Sequence, residues 1–280
     1  MKAISSNIHL IDLPKGKSEQ NFLFISDIHY DSRKCLRKLL KKHLDEAMER
    51  EAYIHINGDV FDVMGAKRDP RSIPNDIRPE YNITGVDYFD VVVEDAYGFL
   101  KPYKDRLFMN FGNHETSQIK RQQTNPLRRL AIALYGMEDY QDHLGAYTGF
   151  VGVKFKDSHG GRVRLSKVNY HHSIGNGKRS MGVLDVQMNA MRYPDADIIV
   201  RGDIHKKWCI PTNFGMYLNS HTMEAQRKMQ RHICTSSYKG EDTDGFGWAT
   251  EKMFDAHPPG GYFCKMVHKK EISYHFEEAQ

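Results

Sequence analysis

Five predicted strands of this sequence end in short polar clusters, and this repeated placement limits the fold more than any other feature. The hydrophobic pattern indicates strands at 21–26, 53–57, 107–111, 163–170 and 197–200. Each strand is followed by a cluster that contains Asp, Asn or His. In α/β proteins, loops at the carboxyl ends of strands direct side chains into a common crevice, where ligands bind. The pattern therefore predicts one site that is assembled from five strand ends.

The remaining pattern places helices between the early strands and short strands near the end of the chain. Strand–helix alternation followed by short strands is typical of an α/β fold, and we expect two packed mixed β-sheets flanked by helices. We expect one domain over 1–280, in which 208–280 is a β-rich segment that either completes the second sheet or caps the crevice. Helices are predicted at 33–50, 86–101, 126–135 and 181–191, an irregular loop at 66–86, and further strands at 150–155, 208–211, 231–236, 262–267 and 271–276.

The composition argues against membrane proteins and disulfide-based folds. No apolar run approaches the roughly 18 to 20 residues of a membrane span, and the N-terminus has no apolar signal segment, so we expect a cytoplasmic protein without membrane contact. The four cysteines are scattered and form no C-x-x-C pair, which disfavours a disulfide framework and a cysteine zinc site. The formal net charge of +4 is too small to identify a nucleic-acid binder. Histidine, with 15 residues, is the unusual component, and it is the commonest metal ligand.

The five clusters carry the residue types that metal and acid–base chemistry requires, although each has an ordinary interpretation alone. An isolated D-x-H is commonly a turn with a solvated aspartate, and G-N-H-E is compatible with a helix N-cap at Asn113. A histidine pair at a strand end is as compatible with a polar strand terminus as with a ligand pair. In chain order the clusters are Asp27-Ile28-His29, Gly58-Asp59-Val60-Phe61-Asp62, Gly112-Asn113-His114-Glu115, His171-His172 and Gly202-Asp203-Ile204-His205.

In their order and spacing, these clusters resemble the calcineurin-like metallophosphoesterase family from about Phe22 to His205. The resemblance implies a four-layer sandwich of two sheets and flanking helices, and a hydrolase that binds two divalent metal ions. Such ions, roughly 3.5 to 4 Å apart, stabilise charge on the phosphoryl oxygens and make a water nucleophilic near neutral pH. Carboxylate, amide and imidazole groups from several strands can hold them, and the sequence provides all three.

The family pattern assigns the metal ligands and divides them between two ions that share one carboxylate. Successive residues on a strand face opposite sides, so only one of the paired histidines should reach the metals, and the loop that follows slightly favours the second. The ligands implied are Asp27, His29 and His205 for the first ion, Asp59 as the bridging carboxylate, and Asn113, His171 or His172, and Asp203 for the second ion.

The same resemblance implies roles for three residues that are not ligands. His114 matches the family's histidine that stabilises the transition state or protonates the leaving oxygen, so its pKa should matter for the rate. Asp62 and Glu115 are expected to orient the ligands.

The last cluster departs from the family, which usually reads G-H-x-H where this chain reads G-D-I-H at 202–205. If Asp203 is a ligand, it joins Asp27 and Asp59, and three carboxylates offset three of the four positive charges of two divalent ions. Such a site is harder, so we expect Mn²⁺ first, with Mg²⁺, Fe²⁺, Ni²⁺ and Zn²⁺ as alternatives. In the other interpretation, Asp203 only orients ligands and the second metal binds weakly.

A basic segment directly after the first cluster bears on the substrate. Its cations could follow a phosphate backbone, or they could form an ordinary solvated helix face. The sequence around the second cluster resembles bacteriophage and bacterial members of the family, some of whose relatives are DNA-repair exonucleases. The candidate substrate-binding residues are Arg33, Lys34, Arg37, Lys38 and Lys41.

Three hypotheses for the function follow. The leading one is a manganese-dependent, nuclease-like phosphodiesterase that acts on nucleic acid, either DNA or RNA, or on a nucleotide. The second is a phosphomonoesterase for a nucleotide, a metabolite or a phosphoprotein. The third is a binding scaffold without turnover, which is disfavoured by the intact set of Asp59, Asn113, His114 and His205. The sequence leaves the oligomeric state open.

Overall fold

The computed structural model describes residues 1–63, 77–81, 88–158, 163–173, 183, 185–220, 222–240, 248–251, 253 and 257–280. These residues form thirteen strands and six α-helices. The strands are β1 (Lys2–Ser5), β2 (Ile8–Asp12), β3 (Glu19–Ile25), β4 (Tyr53–Asn57), β5 (Leu107–Asn110), β6 (Leu144–Gly145), β7 (Thr148–Lys156), β8 (Val163–His171), β9 (Ile198–Arg201), β10 (Trp208–Asn219), β11 (Glu224–Cys234), β12 (Tyr262–His268) and β13 (Ile272–Glu278). The helices are α1 (Arg37–Glu49), α2 (Tyr88–Leu100), α3 (Asn113–Gln122), α4 (Pro126–Asp139), α5 (Asp185–Arg192) and α6 (Trp248–Glu251).

Two mixed sheets organise the described part of the chain. One has seven strands in the order β1-β2-β7-β8-β9-β11-β10, and the other has six in the order β13-β12-β3-β4-β5-β6. Strands β3 to β6 are parallel, and so are β8, β9 and β11. The C-terminal strands β10 and β11 extend the first sheet, and β12 and β13 extend the second.

The alternation of side chains along β3 shows how the layers are joined. Phe22 and Phe24 point into the apolar layer between the two sheets, whereas Leu23 and Ile25 point toward α1, α2 and α4. On the outer face of the seven-stranded sheet, α5 packs around Trp208. This arrangement confirms the predicted pair of packed mixed sheets flanked by helices.

The helix predicted from residue 33 begins only at Arg37. The turn before it is tied to the C-terminal part of the chain, because the Leu36 N–H donates to the Tyr238 carbonyl at 2.8 Å. Arg33 and Lys34 therefore precede the helix, and the predicted helix start at residue 33 was wrong.

Several other elements differ from the prediction. Helix α3 and strands β1 and β2 were not predicted, and β10 and β11 are longer than expected. Helix α4 continues to Asp139 across a kink at Gly136, where φ is 80°. Most of the loop predicted at 66–86, and the first residues of the helix predicted at 181–191, lie outside the described residues. Among the described residues, no helix is long and apolar enough to cross a membrane.

His55, on β4, is a titratable residue in the apolar layer between the sheets. Its Nε2 lies 2.8 Å from Asn110 Oδ1, and the rings of Phe24, Phe108 and Tyr170 surround it. Burial lowers the pKa of His55 to about 4. The folded chain therefore holds this ring neutral under conditions in which an exposed histidine is charged.

We predict that His55 makes the fold less stable in acid. The unfolded chain takes up a proton on this ring near pH 6.5 and the folded chain only near its lowered pKa, so the free energy of unfolding falls as the pH drops through that window. Between pH 7 and pH 5 the loss from this group should be about 2 kcal/mol. Urea denaturation at both pH values measures it. His55→Gln should remove that part of the pH dependence, whereas the exposed control His275→Gln should not; equal pH dependence in the two variants would contradict the prediction.

Candidate metal centre

The loops that follow β3, β4, β5, β8 and β9 meet at one edge of the two packed sheets. The Asp27 N–H donates to the Gly58 carbonyl at 3.1 Å, and the Gly202 N–H donates to the His172 carbonyl at 2.8 Å. The Asp203 N–H, in the loop after β9 of the seven-stranded sheet, donates at 3.1 Å to Asp27 Oδ2, in the loop after β3 of the six-stranded sheet. Backbone hydrogen bonds therefore link the loops before any side chain is considered.

Five of the predicted ligands have a left-handed backbone conformation, which L-residues rarely adopt. Conformations of this kind persist only where the surrounding structure enforces them, and they concentrate at functional sites. The hydrogen bonds between loops provide that enforcement here. The residues are Asp27 (φ 52°), His29 (φ 44°), Asp59 (φ 50°), Asp203 (φ 70°) and His205 (φ 53°).

Two glycines let the loops after β4 and β5 approach each other. Gly58 has φ +81°, and a Cβ at this position would lie 2.6 Å from the His172 ring and 2.8 Å from the Cα of Gly112. A Cβ at Gly112 would overlap both the carboxylate and the backbone nitrogen of Asp59. The glycines of the second and third clusters are therefore a steric requirement of the site.

Asp27, His29 and His205 form a first group of possible metal ligands. One ligand atom from each lies within 4.8 Å of the others. His205 Nε2 is 3.5 Å from Asp27 Oδ1. The Asp27 and His29 side chains are buried, whereas the His205 side chain is 29% exposed, so this group connects the interior of the site with its opening.

Asp27, Asp59 and His172 form a second group with the same spacing. His172 Nε2 lies 3.2 Å from Asp59 Oδ2 and 3.8 Å from Asp27 Oδ1. The other ring nitrogen, Nδ1, is 2.7 Å from the Asn57 carbonyl, which can only accept a hydrogen bond. Nδ1 therefore carries a hydrogen, and Nε2 is the nitrogen that can bind a metal.

Asn113 and Asp203 lie beside the second group. Asn113 Nδ2 donates to Asp203 Oδ1, and the same oxygen lies 4.0 Å from His172 Nε2. Burial raises the pKa of the Asp203 carboxyl above its ordinary value. Asp203 therefore lies next to the second group of possible ligands.

His114, at the start of α3, faces the same carboxylates. Its Nδ1 lies 2.8 Å from the Asp62 carbonyl, and its Nε2 lies 3.9 Å from Asp59 Oδ2. His29, Asp59 and His114 also meet the spacing of a ligand group. Geometry alone is therefore compatible with His114 as a ligand as well as with the predicted catalytic role.

Several buried polar atoms of the site lack a hydrogen-bond partner among the described residues. Asp27 Oδ1, His29 Nε2 and His172 Nε2 are buried and have no hydrogen-bond partner in the described part of the chain. Unpaired buried polar atoms are costly and uncommon in native proteins. Carboxylate and imidazole groups are ligands of divalent ions, so the donor set fits a metal centre.

The electrostatics of the site favour cations. Burial favours a neutral ring, but the carboxylates of Asp62 and Asp59 outweigh it and raise the pKa of His29 to about 9. Burial opposes charge on His172 as well, yet Asp59 and Asp27 raise the pKa of this ring well above its ordinary value. Protons thus occupy positions that metal ions would take.

Glu115 fixes the backbone around the bridging candidate Asp59. Its carboxylate accepts hydrogen bonds from the N–H groups of Asp59 (3.2 Å), Phe61 (3.1 Å) and Gly112 (2.9 Å). Burial, together with the charge of Asp59, raises the pKa of Glu115 to about 7. Glu115 therefore joins the loops after β4 and β5 at their point of closest approach.

Asp62 contacts His29 and two further residues, Lys239 and Asp31. The sequence did not identify Lys239 or Asp31 as site residues. Asp62 Oδ1 lies 3.0 Å from His29 Nδ1, and Asp62 Oδ2 lies 3.0 Å from Lys239 Nζ. The Asp62 N–H donates to Asp31 Oδ1 at 2.6 Å. Asp31 follows the first cluster closely and could have been suspected, whereas Lys239 belongs to no motif.

His171 lies outside the ligand groups. Its ring packs edge-on against Tyr147, with ring centroids 5.2 Å apart. Burial, together with the nearby Arg201, lowers the pKa of His171 to about 4. Only one histidine of the pair reaches the carboxylates, as strand alternation requires, and it is His172.

The basic segment is divided between packing and exposure. The Arg37 guanidinium lies 3.8 Å from the centroid of the Tyr30 ring and 2.9 Å from Asp95 Oδ2. Its charge is therefore already paired within the protein. Of the other four candidates, Lys34 is half-buried, and Arg33, Lys38 and Lys41 are exposed.

Comparison with known proteins identifies one family. The sequence model of the calcineurin-like phosphoesterase family matches residues 20–207, a range that contains all five clusters. No curated protein sequence matches the chain.

Solved structures resemble the chain only distantly. A conserved uncharacterised protein of Streptococcus pneumoniae TIGR4, described as a predicted phosphoesterase, is 9% identical, with 94% of this chain and 92% of that chain covered and a TM-score of 0.37. A metallophosphoesterase from Sphaerobacter thermophilus is 13% identical, with coverage of 93% and 90% and a TM-score of 0.33. GAP50 of Plasmodium is 12% identical, with coverage of 94% and 86% and a TM-score of 0.48.

We predict that metal binding near pH 7 releases protons. The raised pKa values keep His29 and His172 protonated in the metal-free chain, and a metal ion must displace these protons, so binding should weaken as the pH falls. Calorimetric titration of Mn²⁺ in buffers of different ionisation enthalpy should give about two protons released per chain. His29→Ala should lower that number, and release of no protons would contradict the placement of both rings.

The two neighbouring histidines provide a matched pair of variants. His172→Ala should reduce the metal content by about one ion per chain, because it removes a buried ligand atom from the second group. His171→Ala should keep the wild-type metal content. Elemental analysis of the purified proteins measures both, and the reverse result would exchange the roles of the two residues.

Proposed function

Because the chain belongs to the calcineurin-like phosphoesterase family, we propose that it is an enzyme that hydrolyses phosphoesters with two divalent metal ions. The observation that carries this proposal is the convergence of Asp27 Oδ1, His29 Nε2 and His172 Nε2, which are buried and lack hydrogen-bond partners in the described residues. Side chains of these three residues also take part in the groups with metal-ligand spacing, and this coincidence supports the proposal.

We divide the ligands between the two ions as the family pattern implies. We assign Asp27, His29 and His205 to the first ion and Asp59 to both. Bound ions of this kind polarise the phosphoryl oxygens and make water nucleophilic near neutral pH. We assign Asn113, His172 and Asp203 to the second ion.

The metal proposed is Mn²⁺. Asp27, Asp59 and Asp203 place three carboxylates around the two ions, and hard oxygen ligands suit manganese and magnesium better than zinc. The hydrogen bond from Asn113 to Asp203 Oδ1 supports this proposal, because it orients the carboxylate beside His172.

His114 is proposed to give a proton to the leaving oxygen. Its Nδ1 must carry a hydrogen, because the Asp62 carbonyl 2.8 Å away only accepts. Nε2 is then the nitrogen that gains and loses a proton, and it is directed toward Asp59. The His114 side chain is 12% exposed, so the ring is largely buried but still reaches solvent.

We further propose that the substrate is a phosphodiester of a nucleic acid or a nucleotide, as in phage-type relatives of DNA-repair exonucleases. The exposed Arg33 and Lys38 support this, because they lie shortly after the first ligand loop and can attract phosphates. Lys41 is exposed as well, but its Nζ lies 2.6 Å from Asp45 Oδ2. Arg37 contributes less than the sequence indicated, since its guanidinium is bound to Tyr30 and Asp95.

The test is Mn²⁺-dependent hydrolysis of bis-p-nitrophenyl phosphate beside p-nitrophenyl phosphate. His114→Ala should lower kcat by about 100-fold to 10,000-fold, because it removes a general acid, while the metal content stays at the wild-type level. His171→Ala, in the neighbouring position outside the ligand groups, is the control and should retain activity.

Each outcome bears on a different part of the proposal. Preference for the diester supports the nuclease-like enzyme and leads to labelled single-stranded and double-stranded DNA. Preference for the monoester would replace it with a phosphomonoesterase. Loss of metal in His114→Ala would make His114 a ligand. Metal binding without hydrolysis of any phosphoester would leave a scaffold and overturn the proposed function.

A further inference from the structure

We propose that Lys239 is a positioning residue of the metal centre, which holds Asp62 and through it orients His29 and His114. This inference rests on the proposed function, because it assigns a role within the same site. Lys239 lies beyond residues 20–207, the part of the chain that the family model matches. The C-terminal segment would therefore contribute to a centre whose ligands all lie earlier in the sequence.

The contact between Lys239 and Asp62 is nearly closed to solvent. Lys239 Nζ lies 3.0 Å from Asp62 Oδ2, and the two side chains are 10% and 2% exposed. A buried ion pair with one partner removed leaves an uncompensated charge, which is strongly unfavourable. The position of Asp62 therefore depends on the ammonium group.

Asp62, held by Lys239, in turn contacts the rings of His29 and His114. Its Oδ1 lies 3.0 Å from His29 Nδ1 and 3.6 Å from His114 Nδ1, and its carbonyl oxygen lies 2.8 Å from His114 Nδ1. In both rings Nδ1 is therefore the nitrogen that faces Asp62. In both rings Nε2 is thereby directed toward the metal and substrate side of the site.

Lys239 is itself held by a segment that contacts the ligand loops. We define the clamp segment as residues 235–240. The Ser237 hydroxyl and the Tyr238 N–H both donate to the Asp27 carbonyl, at 2.9 Å and 3.0 Å. The Ser236 hydroxyl donates to the His205 carbonyl at 3.2 Å. The clamp segment therefore fixes Lys239 relative to the first-ion ligands.

The charge balance around Asp62 gives Lys239 a role that packing alone does not. Asp62 lies against Asp31, whose carboxylate accepts its N–H at 2.6 Å, and Asp59 is close to the same histidines. Like charges in a buried site repel each other strongly. The ammonium group offsets this repulsion at the one carboxylate oxygen that does not face a histidine.

The experiment measures Mn²⁺ affinity in Lys239→Met, Lys239→Arg and the control Lys207→Met. Lys207 is a suitable control because its side chain is 4% exposed and its Nζ lies 3.2 Å from Glu278 Oε2, away from Asp62. Lys239→Met should weaken one of the two ions by about 10-fold to 100-fold and leave the other unchanged, since loss of a group that orients a ligand has this effect. Lys239→Arg should recover most of the affinity.

A second measurement follows the histidine rings directly. The Nδ1–H protons of His29 and His114, which face Asp62, should exchange slowly with water and be visible by NMR. They should disappear in Lys239→Met and persist in Lys207→Met. If Lys239→Met does not fold, Lys239→Gln keeps a neutral hydrogen-bond donor and should show the same changes to a smaller extent.

Three results would overturn the proposal. Wild-type affinity and wild-type ring protons in Lys239→Met would show that Asp62 does not depend on Lys239. Equal weakening of both ions, matched by Lys207→Met, would reduce the effect to general stability. If the wild-type chain binds no divalent ion, the proposed function fails, and unchanged ring protons in Lys239→Met would then separately reject the role of Lys239.

Discussion

Repulsion among buried carboxylates is the constraint on which the rest of the structure depends. Asp27, Asp59 and Asp62 are each at most 2% exposed, and an uncompensated charge in such surroundings is far more costly than in water. The chain offsets this with imidazole rings, backbone N–H groups and one ammonium group. The partners come from different loops, as when the Asp203 N–H donates to Asp27. No loop holds its carboxylate alone, so the site and the packing of the two sheets stabilise each other.

The same dependence explains why an unusual backbone is concentrated at the ligand loops. A left-handed residue turns the chain sharply after a strand and so directs Asp27 and Asp59 back over the sheet edge. The turn is unfavourable for these residues in isolation. It is maintained by Gly58 and Gly112, which allow the loops to touch, and by Glu115, which bonds both loops at once. The clusters of the sequence are thus requirements of geometry as much as of chemistry.

Much of this arrangement could be predicted, because strand patterns and motif order are local properties of the sequence. The strand at 53–57 and the placement of all five clusters at strand ends agree with the structure. Helix α3 was missed because 113–122 contains a single large apolar residue, Ile119. The ion pair of Arg37 with Asp95 and that of Lys239 with Asp62 join residues that are far apart in the sequence, which no local pattern contains. The choice of His172 over His171 needed the observed direction of the strand end.

The pairing of β12 with β3 has a consequence for the order of folding. Tyr262 pairs with Phe24, three residues before Asp27, so the strand that carries the first ligand loop is completed by one of the last strands of the chain. Contacts between such distant segments form late, because the intervening chain must first be synthesised and brought together. A nascent chain on the ribosome therefore exposes the open edge of β3, and the metal centre is assembled only after the C-terminal strands have been made.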